Sequence, residues 1–228
     1  MNRASPFFLA CFAAAVLAQP LPPAIPETGT ADTAFREEAA ARYRTIVARL
    51  SASGKLDEDG AALDRARRIA GGLIVAAKAL RPATSTWSWE VHVTGDASVA
   101  AFCMAGGKIL LGIPFVRRLD LSDGELAMLI GHEMAHAVAG HRREAIRSGF
   151  DADPAEEVRQ ARVAVMQEKE ADEIGMNLAF RAGWPAASLV SFFDKLAAQE
   201  PAGTFNSSHP SAALRAADAR AMARTLAR

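Results

Sequence analysis

Ser122-Asp123-Gly124-Glu125-Leu126-Ala127-Met128-Leu129-Ile130-Gly131-His132-Glu133-Met134-Ala135-His136-Ala137-Val138 reads as one helix with chemistry set into it. Ser122 with Glu125 three residues later is a capping-box start. Beyond it Leu126, Leu129, Ile130, Met134, Ala137 and Val138 leave few polar positions apart from His132, Glu133 and His136, which is the pattern of a buried helix that carries a site. Side chains four apart on a helix lie on one face, so His132 and His136 can converge on a single cation, with Zn–N bonds of about 2.0 to 2.1 Å. Glu133 is rotated about 100° from His132. That places it badly as a third ligand but well as a base toward a water whose pKa the ion has lowered to about 7. This division of labour is the mechanical content of H-E-x-x-H. The competing account is a surface helix that happens to carry two histidines, and the apolar surroundings argue against it.

A third ligand must come from elsewhere. A compact three-histidine site would put glycine at 139 and histidine at 142, but the chain has Ala139 and Arg142, so that version is excluded. His141 falls about 180° from His132 on a continuing helix and is read as facing away, as a packing residue or one supporting a ligand from outside. Downstream, Asp153-Pro154 opens a long helix that carries Glu168-Lys169-Glu170-Ala171-Asp172-Glu173-Ile174-Gly175 and ends at Gly183-Trp184-Pro185. Glu168 and Asp172 share one face. The glutamate could complete a two-histidine, one-glutamate zinc site and the aspartate could orient a ligating imidazole, while Gly175 would let this helix come close to the first. A solvated acidic face is the alternative, with Glu170 as the fallback ligand.

The chain has 228 residues, 50% of them hydrophobic, and no net charge. That suffices for one good core, hence one catalytic domain, and gives no electrostatic case for nucleic acid. Residues 1–18 read as a cleavable export signal: Arg3, an apolar run from Phe7 to Leu17, and Val16-Leu17-Ala18 before Gln19. An uncleaved anchor is the alternative, although the run is short of the roughly 20 residues a span needs. A lipoprotein is disfavoured because Cys11 sits inside the apolar run. Residues 19–32, with Pro20, Pro22, Pro23 and Pro26, make a linker, and the domain follows over 33–228. Cleavage would leave only Cys103, read as a buried strand residue, so no internal disulfide can form.

Helices are expected over Ala34 to Leu50 and Glu58 to Leu80, the second stopped by Pro82, and an amphipathic one over Ser211 to Arg228. From Trp87 to Thr94 apolar and polar residues alternate, predicting a half-buried strand whose polar face, with His92, is solvated. Ala100 to Met104 and Lys108 to Gly112 follow as strands joined through Gly106-Gly107. Those glycines serve either an ordinary hairpin turn or a strand with an open edge to which an extended peptide could add.

His132-Glu133-Met134-Ala135-His136 together with Glu168-x-Glu170-Ala171-Asp172-x-x-Gly175 resembles metallopeptidase family 48, the gluzincins that include HtpX-like and CAAX prenyl proteases. Within it the soluble periplasmic BepA-like branch is the nearest match. The resemblance runs from about Trp87 to Arg215 and includes Ala100-Ala101-Phe102-Cys103-Met104-Ala105-Gly106-Gly107-Lys108-Ile109, where Ala100 and Ala105 depart from the family's asparagine and proline. It also includes Ser208-His209-Pro210 followed by Arg215. The resemblance implies a predominantly helical α+β, minigluzincin-like zincin domain with a small sheet beside the H-E-x-x-H helix. It implies one Zn2+ held by His132, His136 and Glu168, with Glu133 as general base and Asp172 behind the ligands. His209 would be a fourth ligand that keeps the enzyme latent, and Arg215 would lie near the cleft toward substrate or an acidic partner. Gly106 and Gly107 would shape the strand that receives substrate.

The expectation is therefore a zinc metalloendopeptidase, exported to a bacterial periplasm, that cleaves misfolded or misassembled envelope proteins bound in extended form. Two other readings stay open: a zinc-binding, chaperone-like module whose peptidase activity is silent, and a zinc amidase acting on cell-wall material. Arg220, Arg224 and Arg228 suit a solvated face, with peripheral attachment to acidic lipid as the alternative. The sequence leaves the oligomeric state undetermined.

Overall fold

The computed structural model describes residues 30–141, 154–199 and 211–226. The expected export signal, all but the end of the linker, Arg142, His209 and Arg228 lie outside the described residues. Helix α1 (Thr30–Ala52) begins inside the segment expected as linker, and α2 (Gly60–Leu80) follows it. Asp59 caps α2 by accepting from the Ala62 amide at 2.9 Å. Ala66, Ile69, Ala70, Leu73, Ala76 and Ala77 recur at helical spacing and are all buried, so α2 is a core helix. A 3-10 turn, Pro82–Thr86, then takes up the start of the segment expected as strand. The strand itself is β1 (Glu90–Thr94), and Trp89 is tied back to the turn by its indole donating to the Thr84 carbonyl at 3.2 Å.

Strands β2 (Ala101–Met104) and β3 (Lys108–Gly112) form the expected hairpin, with φ of 83° and 82° at Gly106 and Gly107. The sheet order is β1-β3-β2: β1 runs parallel to β3, and β2 antiparallel to it. Alternation sends Val91, Val93, Cys103, Ile109 and Leu111 into the main core and Leu110 to the opposite face, under Tyr43 and Leu50 of α1. The Tyr43 hydroxyl donates to the Ile109 carbonyl at 2.6 Å. Burial pushes the phenol well above its ordinary pKa, so it stays a donor.

The second face of the sheet is therefore covered, which corrects the expectation of a solvated one. His92 shows its nitrogens to Asp57 Oδ2 and, at 3.0 Å, to Glu90 Oε1, and Thr94 is fully buried. Leu56 bridges to Thr94 and meets the β1 edge, whereas among the described residues no further strand pairs with β2. The chain continues through α3 (Ile113–Arg118), α4 (Asp123–Ala139), α5 (Pro154–Arg181), α6 (Ala186–Gln199) and α7 (Ala212–Leu226). Helix α4 is buried along most of its length, with α2, β2, α5 and α6 packed around it. This is the α+β, mostly helical domain expected, with its small sheet against the H-E-x-x-H helix.

Candidate metal centre

Helix α4 starts as its sequence demands. The Ser122 hydroxyl accepts from the Glu125 amide, and the Glu125 carboxylate accepts from the Ser122 amide at 2.7 Å. Three turns later His132 and His136 project together, their Nε2 atoms 3.1 Å apart. Helix α5 crosses α4 in backbone contact. A Cβ at Gly131 would lie 2.8 Å from the Gly175 carbonyl oxygen, and one at Gly175 would lie 2.7 Å from the His132 nitrogen. Glycine is disfavoured in a helix interior by about 1 kcal/mol, and here only glycine on both sides permits the approach. The crossing delivers Glu168 two turns away, with Oε1 at 3.3 Å from His136 Nε2 and Oε2 at 3.5 Å from His132 Nε2.

Those three separations test whether a metal fits. Donors bonded at about 2.0 to 2.1 Å to a tetrahedral ion stand roughly 3.4 Å from one another, so the observed triangle has the right size. His132 and Glu168 are buried, at 6% and 7% exposure. The outer nitrogen of His132, Nδ1, lies 2.9 Å from Asp172 Oδ1; with its proton there, the ring turns an unprotonated Nε2 into the triangle. The electrostatics agree. Burial works against a charged His132, but hydrogen bonds to Asp172 and Glu168 outweigh it and raise the imidazole to about 9, so the field of this pocket favours positive charge. Two imidazoles and a carboxylate are a donor set that suits zinc.

Arg215 of α7 closes the site from the other side. It holds Asp172 in a two-pronged pair, Nε to Oδ2 at 2.8 Å and Nη2 to Oδ1 at 2.7 Å, and its Nη1 lies 3.6 Å from Glu168 Oε2. Arg215 Nη2 and His132 Nδ1 are 3.4 Å apart and both carry protons in this arrangement, so Asp172 Oδ1 serves as acceptor for both. Burial opposes the charge on Asp172, yet His132 and Arg215 keep its carboxyl below the ordinary range. The guanidinium also sits over the Phe193 ring of α6, 5.4 Å from its centroid. Arg215 is thus turned inward to Asp172 rather than out toward a partner. Glu133 stands beside the centre on α4, half-buried, and its negative charge is felt at Arg215.

Two readings of the flanks need correcting. His141 does not face away. Helix α4 stops at Ala139, and Gly140, left-handed at φ 77°, returns the chain so that the His141 ring stands edge-on to His136, Nδ1 to Nδ1 at 2.9 Å. Glu170 is not a ligand either; its Oε2 lies 3.3 Å from His141 Nε2. The glycine two residues before His141 was the signal for the first error, because a helix ending there invalidates the angular count. Gly106 and Gly107 occupy the hairpin turn.

A family model described as Peptidase family M48 matches residues 63–151, which span the sheet and α4. The chain belongs to peptidase family M48. Relatives agree over shorter stretches. The chain is 46% identical over 59 residues to the mitochondrial metalloendopeptidase OMA1 of Arabidopsis thaliana, covering 26% of this chain and 12% of that protein. It is 41% identical over 64 residues to that of Schizosaccharomyces pombe, covering 27% and 18%. It is 33% identical over 63 residues to that of Homo sapiens, covering 28% and 12%. The chain therefore spans less than a fifth of the length of these M48 relatives, and the family match ends before Glu168.

Proposed function

We propose that this M48 chain is a zinc-dependent metalloendopeptidase, with His132, His136 and Glu168 as ligands and Glu133 as general base. The observation that carries the reading is the triangle of donor atoms, 3.1 to 3.5 Å on a side, with a carboxylate next to it on the same helix. The names of the matched relatives support it. A zinc ion would supply a Lewis acid for the scissile carbonyl and would acidify a water. Glu133 takes the proton of that water and hands it to the leaving amine nitrogen. Asp172 and Arg215 hold the His132 ring in the tautomer that presents Nε2. Strand β2 lies at an edge of the sheet and packs on α4, so a substrate added to it as an extended strand would pass the centre.

The proposal extends to export, on the apolar run Phe7 to Leu17, to misassembled envelope proteins as substrates, and to latency through His209 as a fourth donor. Among the described residues no helix is long and apolar enough to cross a membrane. The test compares casein cleavage by the wild type, Glu133→Gln and His209→Ala, each carrying about one zinc per chain. Loss in the first variant and gain in the second are expected. Equal, absent cleavage by all three would point instead to a binding module.

A further inference from the structure

We infer that His141 is a positioning residue for the metal ligand His136, and that Glu170 fixes His141 in turn. The inference rests on His136 being a ligand through Nε2. A neutral imidazole that presents one nitrogen as a lone pair carries its proton on the other, so His136 has its proton on Nδ1. That nitrogen lies 2.9 Å from His141 Nδ1, where one partner must donate and the other accept. His136 donates, so His141 accepts on Nδ1 and carries its own proton on Nε2. The Nε2 atom faces Glu170 Oε2 at 3.3 Å, an acceptor. Each link determines the next, and only one assignment satisfies all of them.

The arrangement is built, not incidental. His141 is 4% exposed and is brought back to His136 by the left-handed Gly140. Two residues along α5 rotate Glu170 by about 200° from Glu168, off the face that meets the centre and toward the turn after α4. Gln167, one residue before Glu168, directs its amide at the His141 carbonyl, 3.5 Å away. The acidic block of α5 thereby has a task for each carboxylate: Glu168 toward the ion, Asp172 behind His132, and Glu170 behind His136 by way of His141. Ligand imidazoles held from outside bind metal more tightly, and losing such a partner typically weakens binding about 10- to 100-fold.

The experiment measures zinc affinity by chelator competition for the full chain with His141→Leu, His141→Asn and Glu170→Gln, alongside the melting temperature of each metal-free protein. The Leu variant should bind zinc at least about tenfold more weakly with its metal-free melting little changed, and the Asn variant, whose amide oxygen can accept from His136, should recover most of the loss. Unchanged affinity in the Leu variant, or equal loss in Leu and Asn, overturns the inference. A second measurement needs no variant: nitrogen-15 NMR of the zinc-loaded chain should find the His141 proton on Nε2, and a proton on Nδ1 overturns it. A chain that binds zinc but cleaves nothing would sink the peptidase reading and leave this one standing. A chain that binds no zinc overturns both.

Discussion

Glu125 shows how one buried side chain can be made to keep its charge. It is 3% exposed, yet it accepts from the Ser191 hydroxyl at 2.6 Å, from Lys195 at 2.9 Å and from the Ser122 amide. Burial alone would raise its pKa; these donors outweigh burial and hold it at about 2. The folded value lies below the ordinary 4.5, so the stabilisation is fully present above about pH 4.5 and is lost as pH falls toward 2. The displacement corresponds to an upper bound on the order of 3 kcal/mol. Glu125→Gln should therefore be less stable than the wild type in urea at pH 7 by about 2 to 3 kcal/mol, and the gap should close between pH 4.5 and 2. A pH-independent gap would mean that shape, not charge, is what Glu125 contributes. At this scale the sequence was legible where partners are close in the chain. His132, Glu133 and His136 follow from one turn of helix, as does the Ser122–Glu125 box. His92 was misread as solvated because its partner Asp57 lies 35 residues back, on a loop that no periodicity announces.

Among the elements, the crossing of α4 and α5 decides whether a site exists, because it sets the distance from two imidazoles to Glu168. Gly175 was readable as a point of close approach, but its counterpart Gly131 was not, since nothing in a sequence pairs two glycines 44 positions apart. Gly175→Ala sets two effects against each other. Alanine gains about 1 kcal/mol of helix propensity. Its Cβ, however, would lie 2.7 to 2.8 Å from the backbone of Gly131 and His132, and backbone cannot swing aside as a flexible side chain can. Overpacking of this kind costs about 1 to 3 kcal/mol and should win. The variant is expected to unfold at lower urea and to bind zinc more weakly, because the helices must separate on the side that carries the ligands. Equal zinc affinity would show that Glu168 can follow the ligands without close contact. Helices α2, α4 and α5 were legible from apolar spacing, caps and prolines. Helices α3 and α6 went unread: the first is a six-residue turn after a strand, and the second begins just past Pro185, where a stop was expected.

For the molecule as a whole, the informative fact is that α7 comes back to the centre. The M48 match ends at residue 151, but Arg215 reaches Asp172 on α5 and stacks on Phe193 of α6, so the last described helix closes the site built by the middle of the chain. Neither charge of the pair is free in water; the side chains are 13% and 14% exposed. Removing one partner of a buried pair strands the other and costs about 3 to 5 kcal/mol, whereas removing both can be close to neutral. Arg215→Met keeps a stem over Phe193 while deleting the charge. It should lose about 3 kcal/mol in urea unfolding of the metal-free chain, where zinc binding does not enter the balance. Adding Asp172→Asn to that variant should return a large part of the loss, since no uncompensated carboxylate remains in the core. Additive losses in the double variant would mean that Arg215 works by packing α7 onto α6 rather than by neutralising Asp172.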